Sequence, residues 1–109
     1  MDRPLESIYF IGREDQLRGF RVLGVSVVGV ESLSQAEHAL RKAVRDDAVA
    51  VFITEDFGAL MQETLELFGD RPLPVITLIP TAEGASGGTR RRIRRLVERA
   101  VGADILGDD

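Results

Sequence analysis

The sequence predicts an α/β protein built on a small, doubly wound, four-stranded parallel sheet of order 2-1-3-4. Three observations carry this reading. Four short apolar runs, SIYFI (7–11), VSVVGV (25–30), AVAVFI (48–53) and VITLI (75–79), are rich in β-branched residues and read as buried strands. The stretches between them place apolar residues at helical spacing. Strict alternation of the two implies right-handed crossovers, hence a parallel sheet with helices on both faces, Rossmann-like and receiver-like in layout.

Each element has its own local justification. Residues 1–6 form a lead-in, with Pro4 opposing a helix, and Gly12 ends the first strand. Asp15 is positioned as an N-cap for a short helix through Leu17, Phe20 and Leu23, with Gly24 at the C′ position. Gly19 inside that helix costs on the order of 1 kcal/mol against Ala and is expected to allow close packing on the sheet. After the second strand, Ser32 or Ser34 caps a helix reaching about Arg45, with Ser34 and Glu37 spaced as a capping box. Ala36, Ala39, Leu40, Ala43 and Val44 make its apolar face, and Glu37–Arg41 an i,i+4 pair on the other. The uninterrupted AVAVFI run is typical of a central strand covered on both sides. Thr54 is placed to cap one helix carrying Phe57, Leu60, Met61, Leu65 and Phe68, broken at Gly69-Asp70-Arg71-Pro72. Pro74 and Pro80 bracket the fourth strand.

The organisation that follows is an α/β domain over 1–80, a flexible hinge over 81–88, and a C-terminal basic helix and tail over 89–109. Gly84, Ser86, Gly87 and Gly88 give the hinge its flexibility. Thr89 caps a final helix to about Val101, with Gly102 at its end. Ile93, Leu96, Val97, Ala100 and Val101 form its apolar stripe, and Arg90, Arg91, Arg92, Arg94, Arg95 and Arg99 its charge.

Length and composition bound the function. The 109 residues suffice for one domain, with 44% hydrophobic and 29% charged residues, the balance of a soluble globular chain. There is no cysteine, so no disulfide or Cys-ligated metal, and no secretory signal or membrane span is expected. The net charge of −4 is unevenly spread: residues 1–88 carry 8 Arg/Lys against 14 Asp/Glu, and residues 89–109 carry 6 Arg against 4 Asp/Glu.

No catalytic constellation emerges, and no cofactor is expected. Ligands of a doubly wound sheet gather at the strand carboxyl ends, here Gly12–Asp15, Thr54–Asp56 and Pro80-Thr81. A receiver-like signalling domain phosphorylated on Asp56, with a metal on Asp15 and Asp56, is the alternative reading. It lacks a fifth strand with a lysine, since the one lysine is Lys42 on a helix. A dinucleotide fingerprint is missing, because Gly12 stands without the other glycines, and EGASGGT lacks the lysine of a phosphate loop. His38 falls near a polar helix face and reads as solvated. The acidic whole and the absence of aromatics among the arginines oppose nucleic-acid binding, and an apolar stripe without Phe or Trp opposes membrane insertion. The basic helix is left with two partners: a groove on another protein, or its own sheet.

Four stretches resemble the F subunit of V-type and archaeal A-type rotary ATPases: IGREDQLRGFRVLGV (11–25), VFITEDFGALM (51–61), LPVITLIPTAEG (73–84) and IRRLVERAVGADIL (93–106). They cover most of the chain in order. The ending VERAVGADIL after the PVI-x-x-IP strand is the most specific. The run RRRIRR is more basic than the family leads one to expect. The resemblance implies a non-catalytic central-stalk subunit, cytoplasmic and peripheral to the membrane. It implies pairing with the coiled-coil D subunit, and a role in coupling ATP turnover to proton or sodium transport. It further implies that the helix over 89–101, hinged at 84–88, extends toward the catalytic A/B subunits and modulates ATPase activity.

Overall fold

The computed structural model describes residues 4–80 and, in the C-terminal segment, residues 91, 95 and 97. Its four strands are β1 (Ile8–Gly12), β2 (Ser26–Gly29), β3 (Ala50–Thr54) and β4 (Val75–Ile79). They pair in parallel in the order β2-β1-β3-β4, as the alternation of elements requires. Register aligns Phe10 with Phe52 and Phe52 with Thr77, so one face carries Ile8, Phe10, Ala50 and Phe52. The other carries Tyr9, Ile11, Val51, Ile53 and Ile76.

The helices divide between these faces by handedness. The first crossover holds α1 (Glu14–Leu17) and a 3-10 segment, Arg18–Leu23. Leu17 and Phe20 pack on the phenylalanine face, where Phe10 stacks on both Phe20 and Phe52 at centroid distances of 4.8 Å. The second and third crossovers hold α2 (Leu33–Arg45), α3 (Glu55–Gly58) and α4 (Gln62–Phe68). These close the aliphatic face with Ala36, Ala39, Leu40, Ala43, Phe57 and Met61. Every residue of β3 is buried, as its apolar run predicts for a strand covered on both sides.

Several local expectations are corrected. The first helix has Arg13, not Asp15, at its N-cap, and tightens to 3-10 after one turn, with Gly24 at φ 87° ending it as expected. Gly19 is exposed, and a Cβ there would meet nothing within 4 Å, so close packing does not explain it. In α2 the cap is Ser32, whose hydroxyl accepts from the Gln35 N–H at 3.2 Å, while the Gln35 side chain accepts from the Glu31 N–H at 2.7 Å. The Ser34–Glu37 box does not form, because Ser34 already lies inside the helix, and Glu37 accepts from Thr64 Oγ1 of α4 at 2.7 Å. The i,i+4 pair of this helix is instead Lys42–Asp46, at 2.7 Å.

The single helix expected after β3 is two. The chain breaks after Gly58, which lies against Leu78 of β4 so closely that a Cβ would sit 2.5 Å from Leu78 Cδ2. The turn swings Met61 into the core at 1% exposure before α4 begins. The close approach of Leu78 leaves no room for a side chain at position 58.

Candidate functional site

The carboxyl ends of the strands are where a doubly wound sheet presents ligand-binding groups. At β1 and β2, Arg13, Glu14, Asp15, Arg18, Glu31 and Gln35 line an open cleft of about 610 Å³. Two of its charged residues, Arg13 and Glu14, pair with side chains outside its lining. Arg21 donates to both oxygens of Glu14, from Nη2 at 2.7 Å and Nε at 3.1 Å, a bidentate pair that holds the Glu14 carboxyl below its ordinary pKa. At β3, Thr54 is fully buried and its hydroxyl makes no hydrogen bond, so the capping expected of its side chain is absent. Asp56 Oδ1 instead accepts from the Phe57 N–H at 2.9 Å.

These groups do not assemble into the phosphoryl-accepting pocket of a receiver-like domain. Asp15 lines the β1–β2 cleft, and Asp56 is not among its walls. Asp56 lies in the first turn of α3, 3.6 Å from the Arg13 guanidinium, which also stands 5.5 Å over the Phe57 ring. Among the described residues, no cluster of three His, Cys, Asp or Glu side chains is arranged to hold a metal. Arg13, which sequence pattern marks only as part of a charged turn, therefore ties the end of β1 to α3. His38 is exposed on α2, as its helical position suggests.

In the C-terminal segment, residues 91, 95 and 97 are helical. Arg91 and Arg95, one turn apart, are exposed. Val97 is 2% exposed and belongs to the phenylalanine-face core with Phe10, Ala50, Phe52 and Ile79. At about 100° per residue, Val97 points roughly opposite to Arg95, so these positions have the polarity of the stripe read from sequence. The self-packing of that stripe is thus present at Val97. The remaining residues assigned to the partner-binding helix (Arg90, Arg92, Ile93, Arg94, Leu96, Arg99, Ala100, Val101) lie outside the described residues. So do the hinge residues Gly84, Ser86, Gly87 and Gly88.

Comparison with known proteins bears on the chain from the first strand through this segment. The model of the ATP synthase (F/14-kDa) subunit family matches residues 8–97. The chain belongs to that family. It is 33% identical over 101 residues to the V-type ATP synthase F subunit of Clostridium botulinum (strain Eklund 17B / Type B), covering 93% of this chain and 98% of that one. Against the V-type ATP synthase F subunit of Clostridium perfringens the identity is 31% over 101 residues, covering 93% and 96%. Against the A-type ATP synthase F subunit of Methanothermobacter thermautotrophicus it is 30% over 102 residues, covering 92% and 96%. The family's match runs through Val97, so it takes in the residue that joins the C-terminal segment to the sheet. Among the described residues, no helix is long and apolar enough to cross a membrane.

Proposed function

We propose that the chain is the F subunit of a V/A-type rotary ATP synthase, a non-catalytic part of the central stalk. The observation that carries this reading is the family match over residues 8–97, with F subunits of both V-type and A-type synthases among the relatives. In this reading the protein works by transmitting position. A rotor component needs a stiff body and partner surfaces, and needs no reacting group. The body is the sheet with its two cores. Buried β3 pairs on both sides, and the ion pairs Arg13–Asp56 and Arg21–Glu14 link the residues after β1 to α3 and to the 3-10 segment.

The partner is the coiled-coil D subunit, and the complex sits at the membrane as a peripheral cytoplasmic assembly coupling ATP turnover to proton or sodium movement. The C-terminal helix is the adjustable part. Released at 84–88, it would carry the arginines between 90 and 99 toward carboxylates on the catalytic A/B subunits. There guanidinium groups gain bidentate hydrogen bonds and relief from mutual repulsion. The domain plan of body (1–80), hinge (81–88) and tail (89–109) belongs to the same proposal.

Co-expression with the cognate coiled-coil subunit tests the reading. A stable one-to-one complex through size exclusion is the expected result. Separate elution of the two chains, each folded, removes the stalk assignment.

A further inference from the structure

A stalk subunit has no evident use for the cleft at the carboxyl ends of β1 and β2. The Val30 N–H donates to the Gly12 carbonyl at 2.8 Å, so the two strands stay side by side up to the residues that leave them, Arg13 and Glu31. Glu14 lies across the end of β2. A Cβ on Gly29 would sit 2.8 Å from its Oε1, and Arg21 holds both of its carboxylate oxygens. With Glu14 neutralised in this way, the cleft offers two guanidinium groups, Arg13 and Arg18, and two carboxylates, Asp15 and Glu31. Arg13 stands 3.6 Å from Asp56 and is still half exposed. Among the described residues, Arg18, Asp15 and Glu31 make no ion pair.

A ligand matched to this lining carries an anion and neutral hydroxyls together. A carboxylate only accepts, so Glu31 calls for O–H or N–H donors, whereas a guanidinium only donates, in a fork that fits phosphate. Gln35 Oε1 is committed to the Glu31 N–H at 2.7 Å, which fixes the backbone at Glu31 and leaves the Gln35 amide nitrogen as a further donor. Glu31 also stands at a telling place in the topology. It follows the second strand, about 20 residues after Gly12, where a doubly wound sheet presents the acidic side chain that accepts ribose hydroxyls. The turn after β1 has one glycine, so its backbone lacks the cradle for a pyrophosphate, and an anion here is left to side chains. The cleft's volume of about 610 Å³ lies in the range of small-molecule sites.

We propose that the β1–β2 cleft binds a ribose phosphate, free or within a nucleoside monophosphate. Glu31 accepts from the vicinal ribose hydroxyls, and Arg13 and Arg18 donate to the phosphate. The Asp15 carboxylate lines the same cleft and counts against a second phosphate. Binding makes and breaks no covalent bond. It also uses none of the residues assigned to the C-terminal helix, so this site stands or falls apart from the stalk assignment.

Titration of the full-length chain, followed by amide chemical shifts, decides it. The probes are ribose 5-phosphate, adenosine 5′-monophosphate, its 2′-deoxy analogue and inorganic phosphate. Saturable shifts confined to Gly12–Arg18 and Val30–Gln35 are expected with the first two. A tighter adenosine monophosphate marks a nucleotide site, and equal affinity of the two marks a site for the ribose phosphate alone. The 2′-deoxy analogue should bind about tenfold more weakly, the loss of one hydrogen bond to a charged group. Glu31→Gln should abolish that distinction, and Arg18→Gln should remove most of the affinity and its salt dependence. Both side chains are exposed, so the melting temperature of either variant should match the wild type. Any of three results overturns the proposal: no saturable shift, shifts centred elsewhere, or inorganic phosphate binding as tightly as ribose 5-phosphate. Equal binding of the ribo and deoxyribo forms to the wild type overturns the role of Glu31.

Discussion

The two faces of the sheet are closed in different ways. On the aliphatic face, α2, α3 and α4 form a continuous layer, held by alanines that let α2 lie close and by the Thr64–Glu37 hydrogen bond between α4 and α2. On the phenylalanine face, one turn of α1 and a 3-10 segment cover the β2–β1 side, and Val97 comes in from well beyond the end of β4 to join the core beside Phe52 and Ile79. Topology explains the asymmetry. Moving from β1 out to β2 and then back across to β3 and β4 puts one right-handed crossover on one face and two on the other. A four-stranded sheet of this order therefore has a half-face that its own crossovers do not reach. A terminal segment that docks there completes the body, and one that leaves exposes apolar surface that a partner or water must meet.

The sharpest way to break this comparison is to cut into both cores. Phe52→Ala removes the ring stacked on Phe10 and is expected to cost about 3–5 kcal/mol, measured by urea denaturation. Leu40→Ala on the aliphatic face is expected to cost about 2–5 kcal/mol. The comparison is sharpened by repeating both in a chain ending at residue 88. If Val97 holds the phenylalanine face closed, the loss from Phe52→Ala shrinks in the shorter chain, where that core is already opened, and the loss from Leu40→Ala does not. Equal behaviour of the two substitutions would remove the distinction between the faces.

Next in size is Gly12→Ala at the end of β1. A Cβ there would overlap the Thr54 side chain and lie 3.1 Å from Leu17 Cδ1, both buried. Overpacking of about 1–3 kcal/mol is expected, read as a lowered denaturation midpoint with unchanged slope. The opposite sign is expected at Gly19, whose surroundings are open. Gly19→Ala should raise stability by about 0.4–1 kcal/mol through the unfolded chain's lost freedom.

These two glycines also show how much of the fold is legible in the sequence. Strand existence and order follow from four apolar runs and the alternation between them, because periodicity and handedness are local or topological properties. The ends of strands slide by one or two residues, as with β3, which begins at Ala50 rather than Ala48. What local pattern does not hold is decided across the fold. Gly58 lies where Leu78 leaves no room for a Cβ, Glu37 accepts from Thr64 of another helix, and a Cβ at Gly19, expected to sit in close packing, would meet nothing within 4 Å. At the candidate sites, the polarity of the C-terminal helix is readable from the spacing of its arginines and aliphatics, and Val97 agrees with it. The exposure of Leu60 is not readable, since periodicity assigns it to a buried stripe, whereas it lies between α3 and α4.

The smallest expected effect is on pH dependence, and it belongs to the surface. Hydrogen bonding from Arg21 lowers the pKa of Glu14 from its ordinary 4.5, and Lys42, then Tyr9, lower that of Asp46 from 3.8. A carboxyl depressed on folding stabilises the native state above its unfolded pKa, and the contribution is lost as pH falls through the folded value. The melting temperature should therefore be level near neutrality and begin to fall below roughly pH 4.5. Glu14→Gln/Asp46→Asn should flatten that acid limb slightly. Both pairs are solvent-exposed, so the difference is small and shrinks in salt. An acid limb identical in the variant would assign the loss to other carboxylates.

The proposed division into a stiff body and a detachable tail is tested most directly by ATP hydrolysis in the reconstituted complex, with the full chain and with one ending at residue 88. Both chains should assemble with the coiled-coil subunit, and the hydrolysis rate should differ between the two complexes. Assembly with an unchanged rate, or failure of the shorter chain to assemble at all, would contradict the account.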